Sequence, residues 1–67
     1  MNMISVSSSH LRSIGYEDGV LRVSFRNGRS YSYSGVPYNV FKELLNAESK
    51  GKYFEKFIKN IYPCTKL

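Results

Sequence analysis

The stretch Leu21–Pro37, LRVSFRNGRSYSYSGVP, decides the fold. Leu21, Val23 and Phe25 alternate with Arg22, Ser24 and Arg26, the period of a strand with one buried face. Asn27-Gly28 marks a tight turn, because glycine enters positive φ without steric cost. Arg29 to Ser34 resume the alternation, and Gly35-Val36-Pro37 stop the strand and open a helix. A hairpin is the centre of the chain.

Two registers are open to it. A two-residue Asn27-Gly28 loop sets Tyr31 opposite Ser24 and Tyr33 opposite Arg22, on the polar face. A three-residue loop, Arg26 to Gly28 with Gly28 in a left-handed bulge, sets Tyr31 opposite Val23 and Tyr33 opposite Leu21. The one-residue slip exchanges the two faces completely. Each tyrosine carries about 150–250 Å² of surface, and a domain this small buries only about 60% of its unfolded surface. The bulged register buries both rings and is the one expected. Ser13, Gly15, Arg22, Ser24, Arg26, Ser30 and Ser32 then share a polar face.

Outward from this hairpin, His10 to Tyr16 reads as a first strand, followed by Asp18-Gly19, a two-residue hairpin signal. That loop sets Tyr16 opposite Leu21 and Ile14 opposite Val23, all on the core side. Residues 1–9 are serine-rich and read as a loose start with a bridge near Val6. Beyond the hairpin, Pro37 suits the first helical position. Val40, Phe41, Leu44, Leu45 and Ala47 recur at helical spacing to about Glu48. Tyr53, Phe54, Phe57, Ile58 and Ile61 form the apolar stripe of a second helix, with Lys52, Lys56 and Lys59 opposite, and Tyr62-Pro63 ends it. The expected fold is α+β, one domain over residues 1–67. A three-stranded antiparallel meander is followed by two helices packed on one sheet face, βββαα. The other face stays open.

Composition narrows the function. A single cysteine, Cys64, and a single histidine, His10, permit neither an internal disulfide nor a four-ligand Cys/His zinc site. The lone thiol fits a reducing compartment. Met1 to Ser5 has neither a basic n-region nor a long apolar core, so no signal peptide is read, and no apolar run has the length of a membrane span. A cytoplasmic protein without a membrane partner is expected. The formal net charge of +5 suits an anionic partner, and equally suits a merely solvated surface.

The residues resemble the KTSC domain family, named for the C-terminus of some lysyl-tRNA synthetases. The resemblance rests on Ser8-Ser9 with Leu11, Ile14 and Tyr16, on Leu21-x-Val23-x-Phe25-x-x-Gly28, and on Tyr31-x-Tyr33 with Gly35-Val36-Pro37. It continues through Ala47-x-Ser49-x-Gly51-x-Tyr53-Phe54 and so covers nearly the whole chain. It implies a stand-alone domain of bacterial or phage type and, from the synthetase context, nucleic-acid binding. It offers no catalytic motif.

No enzyme or cofactor is expected. His10 has no nucleophile partner in any motif, Glu17 and Asp18 sit in a turn, Glu43, Glu48 and Glu55 suit exposed helix positions, and Cys64 reads as an incidental thiol. Aromatic side chains on sheets hold single-stranded bases in several folds, but the spacing assigns Tyr16, Tyr31 and Tyr33 to the core. Two anion sites are candidates. Arg22 and Arg26 on the polar face, with Arg29 at the turn and serines between, form a low surface for phosphates. The same charges also guard a sheet against aggregation. Ser49-Lys50-Gly51-Lys52 places a cap, free N–H groups and two ammonium groups at a helix start, though every two-helix connection needs such residues and the plain turn is the first reading. The expected function is a small non-enzymatic module binding RNA or another phosphate-bearing polyanion. The alternatives are a protein–protein or inhibitor module docking on a host protein through the open sheet face, and a nucleotide-sequestering protein. A homodimer is also open to the chain, and one that hid the arginine face would leave no room for RNA there.

Overall fold

The computed structural model describes residues 2–67. Five strands form one antiparallel sheet in sequence order: β1 (Met3–Ser5), β2 (Leu11–Glu17), β3 (Val20–Phe25), β4 (Ser30–Tyr33) and β5 (Cys64–Lys66). Helices α1 (Tyr38–Asn46) and α2 (Lys50–Phe57) come between β4 and β5. The α+β class and the central meander are as expected; the sheet is wider. β1 adds to β2 with Ile4 opposite Ile14, and β5 adds to β4 with Thr65 opposite Ser32. Both added strands have three exposed residues, too short to show a period in sequence.

The bulged register is the one formed. Tyr33 lies opposite Leu21 and Tyr31 opposite Val23, and the Phe25 N–H donates to the Arg29 carbonyl at 2.8 Å, closing a three-residue loop. Gly28 takes φ +90°, where a Cβ would be strained. The first hairpin turns at Asp18 and Gly19, both at positive φ, as a primed turn requires. Tyr33 is buried while Tyr31 is only half-buried.

Leu11 is a core residue that alternation from Ile14 would have placed outside. Between Leu11 and Ser13 the register shifts by one residue. Arg12 is the extra residue of this bulge, and the shift turns Leu11 to the covered face, where it is fully buried. There it joins Ile14, Leu21, Val23, Tyr33, Val36, Phe41, Leu44, Phe54 and Ile58 in one core.

Two helix expectations are corrected. Pro37 is the N-cap, extended at ψ 149°, and α1 ends at Asn46 with Ala47 as its C-cap. α2 is shorter than the apolar stripe. It stops at Phe57, and Ile58 drops into the core as the C-cap. Asn60 then turns the chain at φ +66° towards β5, a conformation asparagine tolerates. Phe57 and Ile61, expected inside, are consequently exposed (45% and 56%). The helices are clasped by the Tyr53 hydroxyl, which donates to Glu43 Oε2 at 3.2 Å. Among the described residues no helix is long and apolar enough to cross a membrane.

Candidate functional site

Four segments meet at one end of the covered face: Ser9-His10 ahead of β2, the β3–β4 loop, the start of α2 and the turn that follows α2. Between them runs a half-open groove of about 870 Å³. Its floor is aromatic, made by Phe25, Tyr31, Tyr33 and Phe54, and its rim carries Arg26, Arg29, Lys52 and Lys59. Against these four cations stands one carboxylate, Glu55, which Lys59 meets at 3.7 Å.

Local chemistry sets each part of the rim. Asn27 Oδ1 accepts from the Arg29 N–H at 3.0 Å, which fixes the loop as an Asx turn. The Arg26 N–H donates to the His10 carbonyl at 3.0 Å and its Nε to the Ser8 carbonyl at 2.6 Å, tying the loop to the segment before β2. On the opposite wall Ser49 is the N-cap of α2, its Oγ accepting from the Lys52 N–H at 3.4 Å. Gly51 serves close approach. A Cβ there would stand 3.2 Å from His10 Nδ1, and the same nitrogen lies 3.1 Å from Ser9 Oγ.

The expected anion-binding residues therefore divide. Arg26, Arg29, Ser49, Gly51 and Lys52 all line the groove. Arg22 does not, because it pairs with Gly15 and Ser32 on the face away from the helices. Arg26 was expected beside Arg22. It lies beyond the last residue of β3, and the bulged loop swings it towards Ser8 and the groove instead. Lys50 also turns aside: its Nζ donates to the Ala47 carbonyl at 3.2 Å, over a smaller recess shared with Ser7, Ser8, Ser9 and Glu48.

Phe25, Tyr31, His10 and Lys59 are among the lining residues that the sequence did not assign to an anion site. Lys59 carried a signal of a sort, since it belongs to the α2 lysine set. His10 did not, because its place depends on the fold of α2. Burial pushes the Tyr33 phenol up to about 12, with Cys64 and Tyr31 adding to the shift. Burial likewise raises the Tyr53 phenol, helped by its bond to Glu43. Among the described residues no cluster of three or more His, Cys, Asp or Glu side chains is placed to hold a metal ion.

The KTSC domain model matches residues 7–62. The chain belongs to the KTSC domain family. The crystal structure of a KTSC domain protein from Yersinia pestis superposes with a TM-score of 0.95 at 38% identity, covering 98% of this chain and 96% of that one. An uncharacterized protein of Stutzerimonas stutzeri is 41% identical over 61 residues, 88% of this chain and 86% of its own. A lysine–tRNA ligase of Trichormus variabilis is 41% identical over 59 residues, 85% of this chain but only 10% of the ligase. The KTSC chain thus compares with whole small proteins and with one tenth of a much larger enzyme.

Proposed function

We propose that this KTSC domain is a non-enzymatic cytoplasmic module that binds RNA or another phosphate-bearing polyanion through the rim of the groove. One observation carries the reading: Arg26, Arg29, Lys52 and Lys59 come from three separate segments of the chain and converge on a single concavity. Cations scattered for solubility have no reason to converge, and a cleft lined by one sign of charge concentrates its field. Guanidinium groups supply forked donors to phosphate oxygens. A second support comes from relatives named lysine–tRNA ligase, whose name makes tRNA a partner of those proteins.

The test is affinity for an RNA oligomer as a function of salt. Binding should weaken steeply as salt rises, because each neutralised phosphate releases counterions. An Arg29→Glu, Lys52→Glu double variant should lower affinity and flatten the log–log slope by about 0.7 per lost contact on a single strand. Arg22→Glu, on the opposite face, should leave the slope unchanged. Equal losses from both variants would show a diffuse charge effect and remove the groove from the reading.

A further inference from the structure

We infer that the groove takes an unpaired nucleotide, with its base laid against Tyr31 and its flanking phosphates on Arg26, Arg29 and Lys52; this rests on the RNA reading above and specifies its ligand. A site for phosphates alone needs only donors and charge. This one has an aromatic floor, and the rings meet in a particular way. Phe25 contacts Tyr31 at 75° and Phe54 at 74°, and Tyr33 meets Phe54 at 79°, all edge to face. At the other end of the core Tyr16 and Phe41 stack nearly parallel, at 15° and 5.1 Å, and satisfy each other's faces. Among the described residues Tyr31 has a single ring contact, with Phe25. An edge-to-face contact occupies at most one side of it, so one face of the ring is left without an aromatic neighbour.

Position supports the same inference. Tyr31 is half-buried, whereas its strand neighbour Tyr33 is buried. Arg29 stands immediately before β4, two residues ahead of Tyr31, and both line the groove. A stacking surface and a phosphate donor are thereby set side by side. The volume of about 870 Å³ falls in the range of sites that enclose small organic ligands. A base in a duplex is stacked on both faces and paired along one edge, and cannot lay a face on Tyr31, so the groove selects single strands.

The experiment uses the full chain and three probes of equal length: a single-stranded oligouridylate, the corresponding abasic ribose-phosphate chain, and an RNA duplex. The single strand should bind more tightly than either, by about 5- to 150-fold over the abasic chain, the usual contribution of one base–aromatic stack. Tyr31→Leu should remove that advantage while keeping the salt slope, and Tyr31→Phe should retain it. Equal binding of oligouridylate and abasic chain, or equal binding of duplex, overturns the inference and leaves the polyanion reading intact. Failure of all three probes to bind overturns both. The probe series needs only the wild-type chain, so an unstable Tyr31→Leu variant does not blunt the test.

Discussion

The two faces of this sheet are written by alternate residues of the same strands, and they could hardly differ more. Ile14, Leu21 and Val23 on the covered face are fully buried. Between them, on the bare face, Ser13 pairs with Ser24 and Gly15 with Arg22. Both faces have arginine near at hand, Arg22 on one and Arg29 at the end of the other. Only the covered side has helices to raise walls around its cation. Arg22 stands on an open sheet, whereas Arg29 shares a concavity with aromatic rings and three other cations. Charge alone does not locate a site; charge beside concavity does.

The largest expected effect lies inside the covered face and separates two phenylalanines of one helix. Phe54 is 4% exposed and meets Phe25 and Tyr33 edge to face. Its truncation to alanine should cost about 3–5 kcal/mol, a large share of what so small a domain possesses. Phe57 is 45% exposed and touches Tyr53 on the outer side. Phe57→Ala should cost about 1 kcal/mol or less, in keeping with an exposed aromatic pair. Urea melts of the two variants decide it. Similar midpoints would mean that α2 is rotated from the packing described.

That contrast also marks how far the sequence could be read. The central meander was legible because alternation, turn chemistry and the need to bury tyrosine agreed on one register. The stripe of the second helix was legible at Phe54, but Phe57 within the helix is exposed and the helix's length was not legible. Periodicity cannot say that the helix stops at Phe57 so that Ile58 can turn inward and the chain can return as β5. The edge strands had three residues each and no pattern to show. At the groove, the sequence could name cations but not sort them. Arg26 parted from Arg22 through the bulged loop, Lys50 turned to the Ala47 carbonyl, and His10 came to lie close against Gly51 of α2.

An intermediate effect is expected from pH, again confined to the covered face. The Tyr33 phenol titrates near 10 in the unfolded chain and is held up to about 12 in the folded one, chiefly by burial. Between these values the unfolded state has already lost the proton that the folded state keeps, so unfolding releases a proton and stability falls as pH rises. The contribution is whole below pH 10 and disappears progressively towards pH 12. Thermal melts across that window should move downward, and Tyr33→Phe should flatten the decline. An equal decline in that variant would assign the effect to other groups.

The smallest effect is expected on the bare face, and it tests whether that face is bare. Ser24 lies between Ser13 and Ser30, with its side chain opposite to those of Val23 and the helices. A hydrogen in place of this hydroxyl changes strand preference by a few tenths of a kcal/mol, and away from core and caps such substitutions stay within about ±0.5 kcal/mol. Ser24→Ala should therefore melt with the wild type at every protein concentration. Ser24→Arg should do the same, because open solvent accommodates a long cation. If the face were instead buried against a second copy, the arginine would meet that copy. Stability would then fall by several-fold more than for alanine, and the wild-type midpoint would rise with concentration, as association requires. Concentration-independent melts for all three proteins would leave the groove on the covered side as the concave surface available to a partner.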